Sequence, residues 1–158
     1  MQVIWTDYDN VALLYTCAQV TEDGLCVRSS LQVEYLSRTP VPTDKSLDTL
    51  SDMLPGVCVQ ESEVEVVATD LCKIPTIVVE AVNMNRDGSV EESQQSCKME
   101  DIALDSRFTL AEMSGVWYEV ARTRFTFNKM ESTTSLYTLD PLSKHLDGVV
   151  AGTIRVSH

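Results

Sequence analysis

Gly115-Val116-Trp117-Tyr118-Glu119-Val120 is the stretch that decides how this chain folds. It follows Phe108-Thr109-Leu110-Ala111-Glu112-Met113-Ser114 and opens a region of strand texture, rich in β-branched and aromatic residues. Trp117 to Thr123, Ser132 to Leu139 and Val149 to Val156 read as strands, separated by turn signals at Asn128-Lys129 and Lys144 to Gly148. A tryptophan at the start of an inward-facing strand fills the narrow end of a small barrel, because no other side chain covers as much apolar area there.

Working outward, the amino-terminal part has the same texture. Val3 to Thr6 and Val11 to Cys17 flank Asp7-Tyr8-Asp9-Asn10, whose Asp and Asn favour tight turns, and so predict an antiparallel hairpin. Val27 to Ser37 predicts a strand with one wet face, since Leu31, Val33 and Tyr35 alternate with Ser30, Gln32 and Glu34. Pro42 to Leu54 is the one convincing helix. Thr43 can cap it, Asp44 lies in its positive first turn, Leu47, Leu50 and Leu54 recur on one face, and Pro55-Gly56 stops it. Glu63 to Thr69 is extended again. Residues 71–96 change character, passing from Ile77 to Val82 into Asn83-Met84-Asn85-Arg86-Asp87-Gly88 and a polar stretch, and read as a linker with an embedded hairpin. The expected class is mainly β, a barrel or sandwich with the helix packed on its outside.

The chain has 158 residues, enough for one domain or parts of two, and 44% of them are hydrophobic. Its longest apolar runs are far too short to span a bilayer. Twelve Lys and Arg against 24 Asp and Glu give a formal charge of −12, and the basic residues are scattered singly, so nucleic acid and acidic lipid are not expected partners. Five cysteines, Cys17, Cys26, Cys58, Cys72 and Cys97, lie too far apart for a Cys-x-x-Cys pair and read as long-loop disulfides with one thiol left over. That usage implies secretion into an oxidising compartment. Residues 2–9 already read as strand and turn rather than signal peptide, so the expectation is a mature chain or a piece of a longer one.

No catalytic constellation is present. The two histidines are His145 in a turn and His158 at the end, and no nucleophile elbow, zinc helix or phosphate-cradling loop occurs, so an enzyme is not expected. Asn83 to Glu91 imitates a calcium loop, but position twelve is Gln94, which cannot supply the bidentate carboxylate; a plain Asp-Gly turn is the expectation and no metal is assigned.

Three motifs together resemble the lipocalin family, and within it the apolipoprotein D and Lazarillo-like group. Gly115-Val116-Trp117 resembles the Gly-x-Trp motif opening the first strand. Thr6-Asp7-Tyr8 resembles the Thr-Asp-Tyr motif between the sixth and seventh strands, and Arg38 stands where the family carries the arginine that covers the tryptophan. The resemblance implies an antiparallel up-and-down β-barrel with Trp117 and Arg38 as structural residues, and a guanidinium on an indole face is worth about 1–2 kcal/mol. The order is inverted, since Thr6-Asp7-Tyr8 precedes Trp117 by more than a hundred residues. Residues 1–72 resemble the later half of a lipocalin barrel, 73–96 a linker or hairpin, and 97–158 the opening half; the fourth and fifth strands have no counterpart. A fragment of a tandem array is the favoured expectation, with a permuted or chain-swapped barrel as the alternative, and complementary halves imply a capacity for head-to-tail self-association.

The resemblance further implies a Cys97–Cys17 bond and a second bond from Cys72 to a cysteine near Ser132, where this chain has none. Cys72 is therefore a candidate free thiol, and Cys26 and Cys58 are candidates for a bond of their own across the helix. The implied function is a secreted module that binds and transports a small hydrophobic ligand, such as a fatty acid, retinoid, steroid or bilin, with no other cofactor. Strand alternation nominates Leu13, Tyr15, Val33, Tyr35, Tyr137, Phe125 and Phe127 as ligand contacts. The alternative is a structural or storage unit of an extracellular assembly.

Overall fold

The Asp7 carboxylate builds the first turn by accepting hydrogen bonds from the backbone N–H groups of Asn10 (2.9 Å) and Val11 (2.8 Å) and from the Asn10 amide (3.0 Å). Tyr8 between them adopts φ +61°. In this computed structural model, which describes residues 2–67, 69, 97–124, 130–142 and 146–154, the turn joins β1 (Gln2–Thr6) to β2 (Val11–Cys17) in the expected antiparallel hairpin. β3 (Leu31–Ser37) begins later than the sequence pattern predicts. Arg28–Ser30 instead form a 3-10 turn, because the Ser30 hydroxyl and N–H both donate to the Val27 carbonyl, at 2.9 and 2.8 Å.

The helix, α1, spans Asp44–Met53, and Thr43 Oγ1 accepts the Ser46 N–H at 3.3 Å as a cap should. Pro55-Gly56 converts the chain to a 3-10 turn, Leu54–Val57, which ends at Cys58 with φ +54°. Of the expected leucine stripe, Leu54 is buried in the core, where Val57 and Val59 join it, Leu47 is half-buried, and the Leu50 side chain lies outside what is described. β4 (Val64–Val66) is a shorter version of the Glu63–Thr69 strand, and a single helical turn, α2 (Leu110–Met113), precedes β5 (Gly115–Thr123). β6 (Met130–Leu139) and β7 (Leu146–Ile154) complete the described chain. The Ile77–Glu91 hairpin, the Asn83–Gln94 loop, Cys72, Phe125 and Phe127 lie outside the described residues.

Among the described residues these strands form one antiparallel seven-stranded sheet in the order β1-β2-β3-β5-β6-β7, with β4 paired to the far end of β5. The sheet is open. β1 and β7 do not pair, so the architecture is a mainly β sheet with a helix on one face, and the closure expected from the sequence is not formed by these strands. The decisive pairing is β3 with β5, through Glu34 opposite Arg122 and Leu36 opposite Glu119. It makes the described parts of residues 1–72 and 97–158 neighbours in a single sheet. Val120 is an extra residue in that register and bulges β5, since Tyr35 pairs with Ala121 but Leu36 pairs with Glu119.

Alternation divides the sheet into two buried faces. Val11, Leu13, Tyr15, Val33, Tyr35 and Ala121 pack beneath α1 and the turns after it, together with Leu54, Val57 and Val59. Ala12, Leu14 and Leu36 face the other way and pack with Trp117, Met113 and Tyr137. Burial on both sides explains why β2 opens with the continuous run Val-Ala-Leu-Leu-Tyr. The Tyr35 hydroxyl donates to the Ser46 carbonyl at 2.5 Å and fastens β3 to α1.

The bonded cysteines are the four expected, paired differently. Cys17 bonds Cys26 and Cys58 bonds Cys97, with Cα separations of 5.9 and 5.5 Å, instead of Cys17–Cys97 and Cys26–Cys58. The physical reason is local. After β2 the chain folds back at Thr21–Gly24, where the Thr21 N–H donates to the Leu25 carbonyl at 2.8 Å, and the return brings Cys26 to the end of the strand it just left. Cys97 then lies alongside, its carbonyl accepting the Cys26 N–H at 3.1 Å, with Cys58 beyond it. On loop length, Cys58–Cys97, 39 residues apart, constrains the unfolded chain by about 4 kcal/mol and Cys17–Cys26, 9 apart, by about 2.5. Replacing Cys58 and Cys97 by serine is therefore expected to lower the urea midpoint more than replacing Cys17 and Cys26; equal losses would contradict the assignment.

Candidate functional site

The best-defined constellation is a lock at one end of the sheet. The Arg38 guanidinium lies over the Trp117 ring at 3.7 Å from its centroid. Its nitrogens are all committed: Nε donates to the Tyr8 carbonyl (3.0 Å), Nη1 to Val116 (3.1 Å) and Nη2 to Glu112 (2.9 Å). Trp117 is 0% exposed and donates through Nε1 to the Met113 carbonyl at 2.9 Å, so its one polar atom is satisfied in the core. Arg38 thereby joins three segments far apart in the sequence, and the Trp117–Arg38 pairing is present in a single chain.

Thr6, Asp7 and Tyr8 complete this lock from the hairpin turn. Thr6 Oγ1 donates to the Val11 carbonyl (3.0 Å) and accepts the Tyr8 N–H (2.9 Å). The Tyr8 hydroxyl accepts the Thr109 N–H at 2.7 Å and donates to the Arg107 carbonyl at 3.2 Å, while its ring stacks on Phe108. Gly115 is required for a steric reason. Its φ is +109°, and a β-carbon there would stand 2.9 Å from Arg38 Nη1. Gly115→Ala is expected to cost about 1–3 kcal/mol in unfolding free energy and to loosen Arg38 from the indole; a fully wild-type melt would show the contact is not tight.

Of the seven nominated ligand contacts, the five among the described residues do not converge on one site. Leu13, Tyr15, Val33 and Tyr35 lie in the core beneath α1, and Tyr137 faces the opposite side with Trp117. A one-residue change of parity accounts for this. The side chains that share the Trp117 face are Ala12, Leu14 and Leu36 together with a charged group, of which the sequence pattern reads only Glu34, as part of a wet strand face. Register places Glu34 of β3, Arg122 of β5 and Glu65 of β4 side by side, and the bulge at Val120 adds Glu119. Arg122 Nε lies 3.2 Å from Glu65 Oε1 and its Nη1 lies 3.4 Å from Glu119 Oε2. Tyr137 reaches the same space because it faces Gly148, where a β-carbon would meet its ring at 2.9 Å.

Burial dominates the electrostatics here. It pushes the Glu119 carboxyl up from its ordinary 4.5 to about 7; Arg122 opposes the rise, Glu34 adds to it, Thr133 lowers it and Glu65 raises it further. Glu34 is also raised, chiefly by burial, against the pull of Gln32 and Arg122. A folded-state value of about 7 means that the native chain holds a proton that the unfolded chain releases from about pH 4.5 upward. This contribution to stability is full below about pH 4.5 and lost as pH rises through about 7. Wild type is therefore expected to lose urea stability between about pH 5 and about pH 8, and Glu119→Gln to lose less over that interval. Parallel pH profiles would refute the assignment.

Two other features lie on the helix side. Arg28 and Glu63 form a buried two-pronged ion pair, with Arg28 also donating to the Cys58 carbonyl at 2.6 Å and Glu63 accepting the Gln60 N–H at 2.8 Å. A half-open groove of about 410 Å³ is lined by Ser51, Leu54, Pro55, Cys58, Val59, Gln60 and Glu61. It opens at the end of α1, on the side away from the Trp117 face. No family model matches this chain, nor does any curated protein or solved structure.

Proposed function

We propose that this chain is a lipocalin-type module that binds a small hydrophobic ligand on the Trp117 face of its sheet and performs no catalysis. The observation that carries this reading is the Arg38–Trp117 lock with its Thr6-Asp7-Tyr8 and Gly115 supports, which joins the three motifs of the resemblance in space. Burial of the ligand's apolar part at about 25 cal/mol per Å2 would provide most of the affinity. Secretion is part of the proposal. It is supported by two disulfides and by the finding that no helix among the described residues is long and apolar enough to cross a membrane.

Native mass spectrometry of protein purified from its source tests the reading: a bound small molecule is expected, displaced by organic solvent. An empty protein that also quenches no tryptophan fluorescence when titrated with retinoid or fatty acid would contradict it. One observation favours the assembly reading as a second possibility, namely the exposed, in-register strip of Val116, Leu136 and Val149 across β5, β6 and β7. Concentration-dependent oligomers in light scattering, abolished by Leu136→Lys, would support that reading.

A further inference from the structure

The two ends of the strand order are not alike. β1 is covered along its outer side, where the Val3 carbonyl accepts the Asp105 N–H at 3.5 Å and the Asp105 carboxylate accepts the Thr6 N–H. Among the described residues β7 has no such cover, and its free edge runs for nine residues, Leu146-Asp147-Gly148-Val149-Val150-Ala151-Gly152-Thr153-Ile154. Asp147 to Gly152 are all exposed. Val149 is 65% and Val150 50% exposed although, as neighbours, they face opposite sides of the sheet, so β7 is open on both faces as well as at its edge. An edge of this kind presents a row of unpaired N–H and C=O groups that templates another strand, and proteins ordinarily blunt it with lysine, proline or a bulge. β7 carries no lysine, arginine or proline, and its register with β6 is unbroken from Leu146 to Ala151.

We propose that β7 pairs antiparallel with β7 of a second copy of this chain, about a two-fold axis through Val150, so that two sheets become one. This inference rests on the assembly reading given above and names its partner and register. Opposed residues of an antiparallel pair point to the same face, so two identical strands related by a two-fold axis meet with one residue opposite itself. Val150 is the middle of the nine, and centring the axis there pairs every residue of β7. Leu146 then faces Ile154, Gly148 faces Gly152, Val149 faces Ala151, and Asp147, the one charge in the strand, faces Thr153. A chain of net charge −12 repels its own copies over most approaches, whereas along this edge no carboxylate stands opposite another. The same pairing sets the Val116, Leu136 and Val149 strips of the two copies beside each other on one face of the joined sheet. A two-fold contact is closed, so the expected species is a dimer and not a growing row of molecules.

Sedimentation velocity and amide hydrogen exchange on the oxidised full chain test this together. A dimer is expected to form over roughly 10–100 µM, the range of a small interface, and the β7 amides not bonded to β6 should exchange at least about tenfold more slowly above that range than at about 1 µM. Val150→Lys sets two ammonium groups opposite each other at the axis and is expected to weaken the dimer at least about tenfold, whereas Val150→Thr, which keeps the β-branch, should stay within about threefold. Thermal melting checks that the lysine variant folds; if it does not, the exchange comparison on the wild-type chain decides alone. A dimer untouched by Val150→Lys but lost in Leu136→Lys, with the β7 amides unprotected, would overturn the edge pairing and leave the assembly reading intact. Species that keep growing past the dimer would also overturn it, because a two-fold contact closes. A chain that stays monomeric at about 1 mM would overturn the assembly reading, and this inference with it, without touching ligand binding.

Discussion

Trp117→Ala is expected to destabilise the protein by about 3–5 kcal/mol, a loss that can leave it unfolded at ambient temperature. The indole is fully buried between Leu36, Met113 and Tyr137, and removing it opens a cavity that neighbouring strands cannot close. Two directional contacts go with it: the Nε1 hydrogen bond to Met113 and the cation–π contact with Arg38. Trp117→Phe should cost less, since it keeps an aromatic face under the guanidinium while losing the hydrogen bond and some volume. Urea unfolding followed by circular dichroism measures both. A loss below about 1 kcal/mol for the alanine variant would mean the ring is not part of the core.

Glu63→Ala is expected to be comparably damaging, about 3–5 kcal/mol, for an electrostatic reason. Glu63 is 1% exposed and Arg28 8%, and the pair is satisfied from both sides by the Cys58 carbonyl and the Gln60 N–H. Deleting the carboxylate strands a guanidinium beneath the turn that follows α1. Replacing both partners together, Arg28→Met with Glu63→Leu, removes the desolvation penalty along with the attraction and is expected to recover most of the loss. If the double replacement were as unstable as Glu63→Ala, the damage would lie in packing and not in an unpaired charge.

How far the sequence reveals this protein varies with the kind of signal involved. Trp117, Arg38, Gly115 and the Thr6-Asp7-Tyr8 turn are legible through the resemblance, and each meets a need that few other side chains can meet: a large plug, a forked donor, a positive φ, an Asx turn. Helix α1 is visible within about two residues at each end because Thr43 and Pro55 punctuate it. The inner face of β2 and β3 is not visible. Val11 to Tyr15 are all buried, so nothing in the apolar pattern says which alternate set looks toward Trp117 and which toward α1.

β3 misleads in a further way. Its polar residues, Gln32 and Glu34, read as a face turned to water, whereas the structure sets them on the Trp117 side beside Arg122 and Glu119. Only the bulge at Val120 brings Glu119 into line with Arg122, and a bulge leaves no signature in residue type here. The disulfide pairing is likewise set by a backbone event, the fold-back at Thr21–Gly24, which cysteine spacing alone does not reveal.

The central claim is that the beginning and end of one chain build a common sheet locked by Arg38 over Trp117. Nuclear Overhauser contacts in an equal mixture of isotope-labelled and unlabelled protein test it most directly, because isotope filtering separates contacts within a molecule from contacts between molecules. The account predicts contacts from the Arg38 side chain to the Trp117 indole within one molecule, with the arginine δ-methylene protons shifted upfield by the ring. Contacts found only between molecules, or an Arg38 with no ring shift, would contradict it.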